Sequence, residues 1–268
     1  MGDVLPTQAD FSALLKIAEA AAKEAGAYLL QKIGSATIEY EKALHDDLLD
    51  VDLEAERIIL TRLQIETPDM GILSEEAGQK KAFPNCWIVD PLDGSANFQH
   101  GSPLFGIAIA LVMNETTVGG VIHLPAQNET FTAPKGQGAF LNGQRIHVSS
   151  TKTLAKSIIH TGDFAKDNNT AAIHAQAKDI AELAPGIYRM RMIGTAATDL
   201  AYLACGRADL LVNHTTTPWD IEAGKLILLE AGGKATIKRI NNRIVSIYSN
   251  SVVHQEIEDL LYSKKSEY

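Results

Sequence analysis

Cysteine is scarce in this 268-residue chain: Cys86 and Cys205 are the only two. Two thiols build neither a disulfide framework nor a zinc cluster, and with no secretory context they point to a reducing compartment. Cys86 adjoins Trp87-Ile88-Val89 and reads as a small buried hydrophobe. Basic side chains are also few, 24 against 33 acidic ones, giving a formal charge of −9. An acidic chain gains nothing from attraction to a nucleic-acid backbone or an anionic bilayer, so neither is expected as a partner. A small phosphorylated substrate stays open, provided that local cations receive its phosphate. No apolar stretch approaches the length of a transmembrane helix. Met1-Gly2-Asp3-Val4-Leu5-Pro6 has no basic segment leading into an apolar run, and Pro6 breaks the myristoylation pattern. The expectation is a cytoplasmic protein. Its 46% hydrophobic composition and its length suit one large domain or two tightly joined halves.

Several catalytic signatures are missing too. There is no G-x-S-x-G elbow, Walker A loop or H-E-x-x-H pair. Gly136 to Gly143 lacks the G-x-G-x-x-G spacing and reads as a hairpin, so no dinucleotide fold is implied.

What is present is a clear alternation of elements. Phe11, Leu14, Leu15, Ala18, Ala22, Ala25 and Leu29 recur at helical spacing, and Gly34 ends that helix. A second helix is expected from near Asp52 to Glu66, stopped by Pro68. Strands are expected at Gly71 to Ser74, Trp87 to Asp90, Phe105 to Val112, Val118 to Leu124, Thr130 to Ala133 and Ala139 to Leu141, with a hairpin turn at Asn142-Gly143. Beyond about residue 150, strands at Tyr188 to Ile193 and Ala208 to Val212 alternate with helices at Thr195 to Cys205 and Ile221 to Ala231. Strands at Ala235 to Lys238 and Ile244 to Tyr248 and a helix from about Val252 to Leu261 close the chain. The pattern predicts an antiparallel-rich α+β subdomain over 1–150 packed against an α/β subdomain over 151–268, with a seam near Ser149 to Lys156 instead of a linker. Lys264-Lys265 reads as a solvated tail.

Three acidic clusters stand out: Asp46-Asp47 with Asp50 and Asp52, Glu75-Glu76, and Asp90 with Asp93. Asp220 follows Trp219 at the start of a helix. A random aspartate is usually a solvated charge. Asp90 and Asp93, however, end the apolar strand Cys86 to Val89, and no Lys or Arg lies between Lys81 and Lys135. Unpaired buried carboxylates cost on the order of several kcal/mol, so a cation is the economical partner. Oxygen-only ligands, to which the Leu92 carbonyl can add, select Mg²⁺, Mn²⁺ or Ca²⁺ over zinc. Gly94-Ser95-Ala96 follows at once. Glycine lets a ligand approach the backbone, and a helix turn starting there would present free N–H groups to an anion. A cation site joined to an anion site is what phosphoryl transfer requires.

These residues resemble the inositol monophosphatase family. Trp87-Ile88-Val89-Asp90-Pro91-Leu92-Asp93-Gly94-Ser95-Ala96-Asn97-Phe98 is similar to its first signature, and Trp219-Asp220-Ile221-Glu222-Ala223-Gly224 to its second. Ser74-Glu75-Glu76, Asp50-Val51-Asp52, the stretch from Lys135 to Gly143 and Gly194-Thr195-Ala196-Ala197 resemble further family segments in family order. The resemblance implies a layered αβαβα sandwich of the inositol monophosphatase and fructose bisphosphatase type. It implies two or three Mg²⁺ ions, replaceable by Mn²⁺, held by Glu75, Asp90, the Leu92 carbonyl, Asp93 and Asp220. Ser95 with Glu75 or Asp52 would orient the attacking water. Phosphate and substrate would meet Asp93, Gly94, Ser95, Ala96, Gly194, Thr195, Ala196, Asn213 and Asp220. Lithium sensitivity and a homodimer are family expectations.

This chain departs from the family pattern in three places. Leu49 stands where a threonine is usual, and Ser95 replaces a commoner threonine while keeping the hydroxyl. Asn213 stands where animal relatives carry a glutamate that contacts sugar hydroxyls; an amide still hydrogen-bonds, without charge. His100 and His214, on loops, read as solvated. Inositol 1-phosphate is the leading expected substrate. Histidinol phosphate, a 3′,5′-bisphosphate nucleotide, fructose 1,6-bisphosphate and NADP are alternatives on the same fold. A non-catalytic regulatory protein that keeps the fold and a calcium-binding structural protein are the readings from other classes.

Overall fold

In a computed structural model, residues 8–43, 46–79, 84–164, 169–214, 217–240 and 243–262 are described. Residues 1–7, Lys81, Thr215-Thr216 and Lys264-Lys265 lie outside them, as do the side chains of Asp46 and Asp47. In chain order the elements are α1 (Gln8–Leu30), β1 (Ile38–Ala43), β2 (Asp46–Leu49), α2 (Asp50–Glu66), β3 (Gly71–Ser74), β4 (Gly78–Gln79) and β5 (Asn85–Asp93). Then follow α3 (Ser95–Gln99), β6 (Gly106–Met113), β7 (Thr116–Leu124), β8 (Glu129–Pro134), β9 (Ala139–Leu141) and β10 (Gln144–Ile146). The remainder comprises β11 (Ile158–Thr161), α4 (Thr170–Leu183), β12 (Arg189–Arg191), α5 (Ala196–Ala204), β13 (Leu210–Asn213), α6 (Pro218–Glu230), β14 (Lys234–Ile240), β15 (Arg243–Ser249) and α7 (His254–Tyr262).

Two sheets organise the chain. One has eight strands in the order β10-β9-β8-β7-β6-β5-β3-β4, antiparallel except for the β3–β5 pair. The other has five, in the order β12-β11-β13-β15-β14, with β12, β11 and β13 parallel. The burial pattern stacks them with the helices. Ala18, Ala21, Ala22 and Ala25 of α1 and Ala55, Ile59 and Leu63 of α2 pack on Trp87, Val89, Ile107, Ile109 and Leu111, one face of the large sheet. The opposite face presents Ile88, Ala108, Ala110, Ile122 and Phe131 to Ala197 and Ala201 of α5 and Ala223 and Ile227 of α6. The alternation of large and small residues along β6 therefore has a cause: alanines on the inner face let α5 and α6 approach closely. Leu200, Leu203 and Leu228, on the far sides of α5 and α6, meet Leu211 and Tyr248 of the small sheet. Its outer face, with Ile159, Leu210, Val212, Val245 and Ile247, is covered by Leu183 of α4 and Ile257 and Leu261 of α7. The result is a five-layer αβαβα sandwich.

Most predicted elements are present, with ends moved by one to three residues. Asn114 and Glu115, between β6 and β7, both have positive φ (46° and 61°), as a tight two-residue hairpin demands. Three features were not anticipated: the β1–β2 hairpin, strand β11, and helix α4.

Candidate active site

Strand β5 places the first acids. Side chains three residues apart on a regular strand point to opposite faces. The β5–β6 pairing slips between Asp90 (opposite Ala108) and Asp93 (opposite Gly106), so β5 holds one extra residue there. This bulge reverses the alternation after Asp90. Leu92 consequently joins the core beneath α1 and α2, while Asp93 turns inward with Asp90 toward α5 and α6. Pro91 is tolerated because a bulge leaves its nitrogen without a ladder bond to make. Glu75 follows β3, which runs parallel to β5, and its N–H donates to the Val89 carbonyl at 3.2 Å. The strand register thus sets Glu75 beside Asp90.

The second half of the fold closes on these acids. Asp93 Oδ2 accepts from Thr195 Oγ1 (2.7 Å) and from the Ala197 N–H (2.5 Å), in the first turn of α5. Asp220 lies in the first turn of α6 and accepts from Thr217 Oγ1. Asp90, 1% exposed, accepts from the Leu92 N–H at 3.1 Å. Burial pushes the Asp90 carboxyl well above the usual range, with the charges of Glu75, Asp93 and Asp220 adding to the effect. Burial and then the charge of Asp220 push Asp93 up to about 7, against the opposing bonds from Thr195 and Ala197. The acids therefore share one electrostatic site, and its strongest influences are burial and other carboxylates.

Gly94 is left-handed (φ 91°) and starts α3 with Ser95 and Ala96 in its first turn. A Cβ on Gly94 would lie 3.1 Å from the Leu104 carbonyl and 3.2 Å from Thr195 Cβ. Gly194 is likewise left-handed (φ 84°). The Asn97 amide ties both sides together, donating at 2.8 Å to the carbonyls of Leu104 and Ile193. Gly94, Ser95, Gly194, Thr195 and Ala196 therefore form one contiguous surface beside Asp93.

Asp52 occupies the first turn of α2, is buried, and accepts from the Leu49 N–H at 2.7 Å. One turn on, Glu56 was not singled out as a site residue. Its Oε1 accepts from Ser74 Oγ (2.5 Å) and the Ala77 N–H (2.9 Å), clamping the turn that carries Glu75 and Glu76. The signal was available: a glutamate four residues after Asp52 shares its helix face. Asn213, the last residue of β13, is 4% exposed, and its amide oxygen accepts from the His214 N–H at 2.8 Å. His214 is not the solvated loop residue expected. It is half-buried, with Nε2 3.3 Å from Asp179 Oδ2. His100 is exposed, and its Nδ1 lies 2.8 Å from the Ala96 carbonyl.

The donor set suits a hard divalent cation. It consists of carboxylates and a carbonyl, and among the described residues neither Asp90 nor Asp93 has a basic partner. Among the described residues no group of three or more His, Cys, Asp and Glu side chains stands close enough to form a ready-made cluster. Like charges spread apart, and a cation would have to draw them together.

Comparison with known proteins identifies the family. The inositol monophosphatase family matches residues 10–263. The chain belongs to that family. It is 36% identical over 242 residues to the fructose-1,6-bisphosphatase/inositol-1-monophosphatase of Thermotoga maritima, covering 85% of this chain and 91% of the relative. It is 40% identical over 215 residues to the Nus factor SuhB of Xylella fastidiosa, covering 80% and 78%. Among solved structures, the extragenic suppressor protein suhB of Bartonella henselae superposes with a TM-score of 0.85 at 33% identity, covering 93% of this chain and 98% of that one. The resemblance read from the motifs and the expected αβαβα architecture are both borne out. Among the described residues no helix is long and apolar enough to cross a membrane.

Proposed function

We infer that this chain is a phosphoric monoester hydrolase acting on a small phosphate ester, with inositol 1-phosphate the leading substrate. The observation that carries the reading is that Glu75, Asp93 and Asp220 all act electrostatically on the buried Asp90, beside the Gly94-Ser95 turn. Glu75, Asp90, the Leu92 carbonyl, Asp93 and Asp220 would hold Mg²⁺, which when bound neutralises phosphate charge and makes a bound water more acidic. The chain's own groups do the positioning. The leading N–H groups of α3 lack partners within the helix and face the phosphate oxygens. The Ser95 hydroxyl, with Glu75 or Asp52, orients the attacking water and takes its proton. Thr195 and the Ala197 N–H fix Asp93.

The reading from another class is a non-catalytic regulatory protein that keeps the fold, and one relative, of Xylella fastidiosa, is named a Nus factor. The acids around Asp90 favour the enzyme. The homodimer and lithium sensitivity stay with this proposal as family expectations, and the cytoplasmic location as an expectation from composition. Phosphate release from a panel of esters with Mg²⁺ tests it. Turnover is expected for the native chain and loss of at least about a hundredfold for Asp90→Asn; unchanged activity in that variant refutes the reading.

A further inference from the structure

Strands β11, β12 and β13 are parallel, and their carboxyl ends carry Thr161-Gly162-Asp163, Ile193-Gly194 and Asn213-His214. The connection after β11 runs through α4 on the outer face, and the one after β12 returns through α5 on the inner face. Such a reversal opens a crevice at the carboxyl ends of the adjacent strands, where α/β sheets bind ligands. By that rule the crevice falls between the ends of β11 and β13, which carry Asp163 and Asn213.

Asp163 is held there by design of its surroundings. Gln176, 2% exposed on α4, donates to the Gly162 carbonyl (2.7 Å) and the Asp163 carbonyl (3.0 Å). Gly162 leaves room for Asn213, since a Cβ there would lie 2.4 Å from the Asn213 amide oxygen and displace it. Asp163 Oδ2 lies 3.5 Å from the Cβ position of Gly194, and the Gly194 carbonyl lies 3.4 Å from that of Gly94. One glycine thus separates the Asp163 carboxylate from the turn assigned to phosphate. The carboxylate is exposed, and among the described residues no donor is hydrogen-bonded to it. Of the neighbouring amides, Asn97 gives both protons to carbonyls, and the Asn213 oxygen takes the His214 N–H, so Asp163 is the charged acceptor among them.

We propose that Asp163 is a specificity-determining residue whose carboxylate accepts hydrogen bonds from hydroxyls of the alcohol half of a polyol monophosphate. This rests on the phosphatase reading above. A phosphate seated at Gly94-Ser95 projects its alcohol past Gly194, where Asp163 offers a charged acceptor. Being exposed, the carboxylate is solvated and needs no cation, so neutral hydroxyl donors suffice. It supplies the charged acceptor that Asn213 lacks.

The test measures kcat and KM of the full chain and of Asp163→Ala and Asp163→Asn with saturating Mg²⁺. Three esters are used: inositol 1-phosphate, p-nitrophenyl phosphate, which has no alcohol hydroxyl, and phosphoethanolamine, which carries an amine. Loss of hydrogen bonds to a charged acceptor predicts about a tenfold lower kcat/KM for inositol 1-phosphate in Asp163→Ala, mostly through KM. Asp163→Asn should fall between, and p-nitrophenyl phosphate should change by less than about twofold. Equal effects on inositol 1-phosphate and p-nitrophenyl phosphate, or none, overturn the proposal. So does a larger loss on phosphoethanolamine, which would make the site an amine subsite. A native chain active on p-nitrophenyl phosphate and inert toward inositol 1-phosphate also overturns it, while leaving the phosphatase reading intact. A native chain inert toward all three esters refutes that reading, and this proposal with it.

Discussion

Replacing Asp90 by Asn should stabilise the metal-free protein and at the same time remove its response to magnesium. Asp90 is almost wholly buried, and the charges that act on it most strongly are those of Glu75, Asp93 and Asp220. Ionising it in the folded chain is therefore unfavourable unless a cation is bound. Asparagine keeps an oxygen for the Leu92 N–H, fills the same volume and carries no charge. A buried carboxylate without a counter-ion costs several kcal/mol before protonation relieves it, so the substitution should recover about 2 kcal/mol at pH 8. For a chain of this size that corresponds to a rise in Tm of about 4 °C.

The sign of the pH dependence follows from the direction of the shift. The folded-state pKa values of Asp90 and Asp93 lie above the ordinary 3.8, so the penalty is absent below about pH 4 and grows as the pH rises from there to the folded values. For Asp93, pushed up to about 7, it is fully expressed above that pH. The advantage of Asp90→Asn should therefore be large at pH 8 and vanish near pH 4. Magnesium at a hundred times its Kd should stabilise the native chain by about 2.7 kcal/mol and the variant by far less. Differential scanning calorimetry with EDTA or Mg²⁺ at pH 5 and pH 8 measures all of this. A variant less stable than the native chain at pH 8 without metal, or one that keeps the full magnesium response, would refute the reasoning.

Gly94→Ala should lower stability by about 2 kcal/mol, because φ is 91° and the new methyl would press on the Leu104 carbonyl and Thr195. Urea unfolding reads that loss, and phosphate release should fall with it. Glu56→Gln should loosen the Ser74–Ala77 turn and lower kcat/KM about tenfold, at a stability cost of about 1–2 kcal/mol; kinetics with varied Mg²⁺ would show that a higher Mg²⁺ concentration is needed, and no such effect for Glu54→Gln, whose partner is Arg57. His160→Leu should cost about 3–5 kcal/mol at pH 8 by stranding the buried Asp199 carboxylate, 2.7 Å from the His160 ring and pushed up to about 6 mainly by burial. The loss should shrink at pH 5, where Asp199 takes up a proton, and adding Asp199→Asn should recover much of it.

The fold was legible wherever local chemistry and burial agree. Gly34 adopts φ 71° just past α1, Asn142-Gly143 turns with φ 48° and 78°, and the apolar runs of β6 and β7 are buried on both faces. The elements that sequence reasoning passed over are those whose buried faces are polar. Strand β11 is four residues long and buries His160 against Asp199 where an apolar side chain would have marked it. Helix α4 buries Gln176 and Asp179, so its apolar period is broken at the positions that face the sheet. The hairpin of β1 and β2 has the opposite difficulty: Ile38 and Tyr40 are exposed, and no burial imposes an alternation.

The same distinction separates the two sides of the site. Asp90 to Ser95 occupies six consecutive residues, so its acids, its proline and its glycine announce themselves together. The bulge that turns Asp93 to the side of Asp90 depends on pairing with β6, a long-range fact, yet the local sequence already suggested carboxylates without cations. The crevice beyond Gly194 has no such stretch of sequence. Its groups come from the ends of three parallel strands, and one of those strands, β11, has only Ile158-Ile159 as apolar residues before His160 and Thr161. Missing β11 hid Asp163 as well, because an exposed aspartate earns attention only once Gln176, Gly162 and Gly194 are seen to fix its place. On the proposed reading, the turn from Asp90 to Ser95 is encoded locally, while discrimination between alcohols is encoded in the topology. Substitutions at the strand ends should therefore change which ester is hydrolysed without disturbing the carboxylates that make hydrolysis possible.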